Sequence, residues 1–107
     1  MKIAVTSTGG SLEALVSERF GRCPYFLIID PETMKFEAVS NLGGQMESGA
    51  GPKAAELILN KGAEVLLTGH VGDKAEAVLK KANIKIVNGF TENMKVKDAV
   101  TAFLNKN

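Results

Sequence analysis

The chain has 107 residues, 45% of them hydrophobic and 23% charged, with a formal net charge of +1. That length suits a single domain spanning residues 1–107 and leaves no material for a second core. A charge so near zero sets up no long-range field for nucleic acid or an anionic membrane, and no run approaches the ~18 apolar residues that a membrane span needs, so neither partner is expected.

Ile3, Val5 and their neighbours make a short β-prone run that ends in Ser7-Thr8-Gly9-Gly10-Ser11, a cluster of turn and capping residues. This reads as a strand followed by a long loop. The apolar stretch at the N-terminus is too short for a signal peptide. The one cysteine, Cys23, forms no intramolecular disulfide, and a lone thiol is commoner in a reducing compartment, so a cytoplasmic setting is expected.

The next apolar run, Tyr25 to Ile29, meets Asp30-Pro31-Glu32-Thr33, where proline suits the second position of a type I turn. The pattern is a hairpin. Its return arm alternates Met34, Phe36 and Ala38 against Lys35 and Glu37, which predicts a strand near a sheet edge with one wet face.

Pro52, following Gly49-Ala50-Gly51, opens a helix that Gly62 closes. Val65-Leu66-Leu67 is a short, wholly apolar strand. Ala75, Val78, Leu79 and Ala82 fall on one helical stripe, Ile84-Lys85-Ile86-Val87 follows as a strand, and Val96, Ala99, Val100, Phe103 and Leu104 form a last helical stripe. The order is βββαβαβα, an α/β chain with a five-stranded mixed sheet. Strand-helix-strand units impose parallel pairing, whereas the hairpin imposes antiparallel pairing.

If the first strand joins the parallel set, the loops 7–23, 41–50, 68–72 and 88–94 all fall on one edge, at the carboxyl ends of the parallel strands, where open α/β sheets bind ligands. That edge collects Arg19, Arg22, Cys23, Met46, Glu47 and His70. Two helices open there with glycine-rich approaches, Gly49-Ala50-Gly51-Pro52 and Thr68-Gly69-His70-Val71-Gly72-Asp73, whose free N–H groups serve either an anion or ordinary capping. The first approach matches a loose G-x-G-x-x-A spelling, but no strand immediately precedes it and Pro52 occupies the turn, so it is not a dinucleotide fingerprint. No phosphate loop is present.

His70, the only histidine, suits a ligand or proton donor, or is a solvated loop residue. Cys23 precedes Pro24 and is expected to be extended; Arg19 and Arg22 would favour its thiolate, while the plainer reading is a half-buried small apolar residue. Cys23 and His70, with Met46, are soft ligands that fall short of a closed zinc pattern. A Cys-His nucleophile pair lacks a third orienting group, and paired carboxylates do not line the strands, so an enzyme with its own catalytic residues is not expected.

Several words in order and spacing, Glu18-Arg19-Phe20-Gly21-Arg22-Cys23-Pro24-Tyr25-Phe26, Gly49-Ala50-Gly51, Gly62-Ala63-Glu64-Val65-Leu66-Leu67-Thr68-Gly69 running into Gly72 and Ala75, and Asn83-Ile84-Lys85-Ile86-Val87, resemble the dinitrogenase iron-molybdenum cofactor biosynthesis family. The resemblance covers Lys2 to about Leu104, and its most specific part is Phe-Gly-Arg-x-Pro-Tyr-Phe. It implies a ribonuclease-H-like, three-layer fold with helices on both faces of the sheet. It also implies a role in carrying or inserting nitrogenase cofactor precursors or other metal-sulfur clusters, without nuclease activity. Arg19 stands where family members often carry His, and Met46-Glu47-Ser48 where many carry another. The glycine framework and the Phe20-Gly21 corner therefore carry over, whereas Cys23 and His70 as metal ligands rest on placement alone.

The leading expectation is a non-catalytic carrier of an anionic metal-sulfur cluster, an iron-molybdenum cofactor precursor or a related cluster, passed between donor and acceptor proteins. Its binding residues would be Arg19, Phe20, Gly21, Arg22, Cys23, Met46, Gly49, Gly51, Gly69, His70 and Gly72. The alternative is a regulatory or scaffolding domain that binds a protein partner or a small anion without metal. A thiol enzyme using Cys23 is a third class.

Overall fold

The computed structural model describes residues 1–105. Five strands and three helices follow in the expected order: β1 (Ile3–Ser7), β2 (Tyr25–Ile29), β3 (Phe36–Ser40), α1 (Ala50–Asn60), β4 (Val65–Leu67), α2 (Asp73–Lys81), β5 (Lys85–Val87) and α3 (Val96–Leu104). Two short 3-10 turns that periodicity did not reveal, Phe20–Arg22 and Leu42–Gln45, lie in the loops after β1 and β3.

The sheet order is β3-β2-β1-β4-β5. The strand β1 pairs antiparallel with β2, from Ile3 opposite Ile29 to Ser7 opposite Tyr25, and parallel with β4, while β5 adds parallel to β4. With neighbours on both sides, all five residues of β1 are buried. Its alternation then separates two cores, because successive side chains leave opposite faces of a strand. Ala4, Phe26, Ile28 and Leu66 meet Ala54, Ala55 and Ile58 of α1 and Ala75 and Leu79 of α2. Ile3, Val5, Leu27, Ile29 and Leu67 meet Val96, Ala99 and Val100 of α3 on the other face.

The expected half-dry β3 is corrected in two respects. Met34 has φ 60° and belongs to the hairpin turn, so the strand begins at Phe36. Along it only Val39 is partly buried. Phe36 and Ala38 sit opposite Ile29 and Leu27 on the α3 face, but α3 packs over β1, in the middle of the sheet, and leaves the β3 margin uncovered.

Helix ends follow the sequence signals. Gly62, with φ 81°, closes α1: its N–H bonds to Leu59 O and that of Ala63 to Ile58 O, which satisfies carbonyls that the helix leaves free. Among the described residues no helix is long and apolar enough to cross a membrane. The loop after β1 is tied back by Glu13, which bridges Lys95 at 2.9 Å and Lys97 at 2.7 Å beside the start of α3. Its remaining length is thereby directed toward the carboxyl edge of the parallel strands.

Candidate functional site

The Phe20–Arg22 turn is anchored first by burial. Phe20 is 4% exposed and its ring meets that of Phe26 at 5.5 Å between centroids. Backbone pairing then clamps it to the loop after β4: the His70 N–H donates to Glu18 O at 2.8 Å, and the Phe20 N–H to His70 O at 3.1 Å. This close lateral approach explains Gly69, since a Cβ there would stand 2.6 Å from Glu18 O. Beneath it, buried Thr6 Oγ1 donates to Ser17 O at 2.6 Å and shares a 2.8 Å hydrogen bond with Thr68 Oγ1, joining the ends of β1 and β4.

Gly21 makes the decisive contact. Its φ is +30°, and a Cβ would lie 2.9 Å from the Gly51 nitrogen, so this backbone rests directly on the first turn of α1. Gly51 in turn approaches α2, where a Cβ would be 3.0 Å from Ala75 Cβ. Three small residues thus bring the corner and the starts of α1 and α2 around one cleft of about 390 Å³.

Of the sequence-predicted residues, Arg19, Phe20, Gly21, Arg22, Gly49, Gly51, His70 and Gly72 line this cleft. Ala50, Pro52, Asp73, Lys74 and Ala75 also line it, although the sequence singled out none of them as a site residue. Cys23, Met46 and Gly69 lie outside it. Gly69 acts from behind, through its approach to Glu18. Met46 is 42% exposed on the neighbouring turn and contributes its carbonyl, which accepts from Arg22 Nη1.

Cys23 requires a correction. It is 1% exposed, within the core that contains Phe20, Phe26 and Ala54. Burial pushes its thiol up to about 12, outweighing hydrogen bonds from backbone groups and from Asn41. The expectation that Arg19 and Arg22 favour a thiolate fails because desolvation dominates and both guanidiniums are exposed. The two residues proposed as metal ligands sit in different surroundings: His70 is exposed at the cleft while Cys23 is buried in the core. Among the described residues no group of three or more His, Cys, Asp or Glu side chains is placed to hold a metal ion.

What the cleft offers is donors and positive charge. The first intrahelical N–H bond of α1 is that of Lys53 to Gly49 O, so the Ala50 and Gly51 N–H groups have no partner within the helix, and Gly49 supplies no side-chain cap. In α2 the first is Glu76 to Gly72 O, again without a side-chain cap, which leaves the N–H groups of Asp73, Lys74 and Ala75. Both helix dipoles point their positive ends here. Arg19, Arg22 and Lys74 add cations, and the Asp73 carboxylate opposes them.

Asn41 was not foreseen. Its Nδ2 donates to Gly21 O at 3.0 Å and Cys23 O at 2.9 Å, bracing the corner from the end of β3, while its buried Oδ1 has no partner among the described residues. No local pattern separates it from an ordinary turn asparagine.

A model of the dinitrogenase iron-molybdenum cofactor family matches residues 1–106. The apo form of the orange protein from Desulfovibrio gigas superposes with a TM-score of 0.93 at 43% identity, over 97% of this chain and 87% of that one. A NifB-like protein from Thermotoga, of the DUF35 family, gives a TM-score of 0.84 at 34% identity, over 98% of this chain and 88% of the other. No curated protein matches the chain.

Proposed function

The chain belongs to the dinitrogenase iron-molybdenum cofactor family, and from that membership and the chemistry of the cleft we propose that it is a non-catalytic carrier of an anionic metal-sulfur cluster, an iron-molybdenum cofactor precursor or a related cluster. The observation that carries this reading is the convergence of two uncapped helix starts with Arg19 and Arg22 over a floor of Gly21, Gly51 and Ala75. A metal-sulfur anion is large and weakly hydrated. Guanidinium is the more weakly hydrated of the two cationic side chains, and backbone N–H groups donate readily to sulfide. Phe20, Ala50, Pro52 and Ala75 supply apolar wall against which such a surface loses little hydration.

The cargo is held by charge and N–H donors, with His70 at the rim, and Cys23 serves packing. Donor and acceptor proteins meet the cleft at its open side. The sheet order with helices on both faces supports a ribonuclease-H-like, single-domain reading, and the free, buried thiol supports a cytoplasmic setting.

The test is protein purified anaerobically from its native host, assayed for molybdenum, iron and sulfide with an absorption spectrum. Calorimetric titration with tetrathiomolybdate at low and high salt accompanies it. The carrier reading expects bound metal and sulfide in the native protein and an affinity for the thiomolybdate that falls with salt. Metal-free native protein that also ignores thiomolybdate overturns it. The second reading, a regulatory domain binding a small anion without metal, is favoured by the lack of any three-ligand cluster among the described residues. It expects phosphate or sulfate to bind as well as the thiomolybdate.

A further inference from the structure

We propose that Arg22 couples occupancy of the cleft to the order of the strap formed by residues 41–48, so that a loaded protein presents a different surface from an empty one. The inference rests on the carrier reading above. A guanidinium carries five N–H donors in a rigid fork. Arg22 uses one nitrogen, Nη1, on two strap carbonyls, Gly44 O at 3.0 Å and Met46 O. Among the described residues no hydrogen bond engages its Nε and Nη2 donors, and Arg22 is one of the residues lining the cleft. One residue therefore has one edge on the strap and another available to an anion.

Asn41 anchors the start of the strap through its N–H to Pro24 O and its Nδ2 to Gly21 O and Cys23 O, but little else holds the residues that follow it. Beyond Asn41 its backbone bonds are local, Gly44 N–H to Asn41 O and Met46 N–H to Gly43 O. It contains the pair Gly43-Gly44, whose backbone freedom is costly to order. Leu42 is 89% exposed, so burial contributes almost nothing there. Such a segment sits at the low-stability end of the molecule, where small changes in restraint alter order. An anion that fixes the guanidinium fixes both carbonyls, and by reciprocity an ordered strap favours the loaded cleft.

The test uses the full chain with and without saturating tetrathiomolybdate, reading amide exchange at Gly44 and Met46. Anisotropy of a Leu42→Trp variant adds a second readout, since the chain has no other tryptophan. Saturation should slow exchange at both amides about tenfold, within the usual range of coupling between sites, and raise the anisotropy. Arg19→Gln should weaken binding yet show the same slowing once saturated. Arg22→Lys keeps the charge but not the fork, and should bind with less than about a twofold change in exchange. Equal slowing in Arg22→Lys, or none in the saturated parent, overturns the coupling while leaving the carrier reading intact. Failure of the parent to bind the thiomolybdate overturns the coupling, and the carrier reading falls with it only if the native protein is also metal-free.

Discussion

Burial of the Cys23 thiol has consequences for both reactivity and stability. With its ionisation pushed up to about 12 from an ordinary value of 9.0, the folded protein keeps this proton where the unfolded chain releases it. The folded state thus binds more protons between those values, and stability falls as pH rises from 9 toward 12. Cys23→Ala should cost about 1 kcal/mol at neutral pH, decline less steeply in urea titrations from pH 8 to 10.5, and leave thiomolybdate affinity unchanged. Loss of binding in this variant would restore the thiolate as a ligand. Gly21 is the converse case, a residue whose lack of a side chain is the function. Gly21→Ala should destabilise by about 1–3 kcal/mol from backbone strain alone, lowering the melting temperature on the order of 10 °C. The added Cβ also meets Gly51 head-on. Thermal denaturation reads this directly, and a variant melting with the parent would mean that the corner does not rest on α1 as described. The sequence marked Gly21 through its resemblance to family members, but only the fold explains the glycine, because the atoms it must avoid belong to a helix 30 residues later.

The two helix starts differ electrostatically. The first turn of α1 carries no acidic residue, whereas α2 begins with Asp73 and has Glu76 one turn on. Asp73 favours its own helix through the dipole, yet it faces a cleft that otherwise collects positive charge. Asp73→Asn should therefore raise affinity for an anion about two- to fivefold, corresponding to about 0.3–1 kcal/mol, and destabilise the helix by a similar amount. Calorimetry with tetrathiomolybdate, beside thermal melts, checks both signs. An unchanged or lowered affinity would place the ligand away from the start of α2. Sequence patterning located these helices well, because Pro52, Gly62 and the apolar stripes are local signals. It did not foresee the 3-10 turns, which are stabilised by distant partners: Phe20 by Phe26 and the His70 backbone, and the Leu42–Gln45 turn by Arg22.

Across the whole molecule, protection should follow the sheet order. Amides of Val5 and Leu66, in central strands with helices on both faces, should exchange only through global unfolding, and those at residues 42–48 should exchange orders of magnitude faster. Equal protection at Gly44 and Leu66 would show that the strap belongs to the core. The sequence by itself determined the element order, the mixed pairing of the sheet and the edge on which the long loops gather, since hydrophobic period, proline and glycine positions and the rules of strand connection are all local or nearly so. It also identified Arg19, Arg22, the glycine framework and His70 as neighbours of one another. Tertiary structure alone decided which way each side chain faces. Cys23 and Arg22 are adjacent in the chain, yet the turn after Phe20 sends one into the core and the other to the cleft. Desolvation, which acts through everything packed around a group, then separates an inert thiol from an available guanidinium.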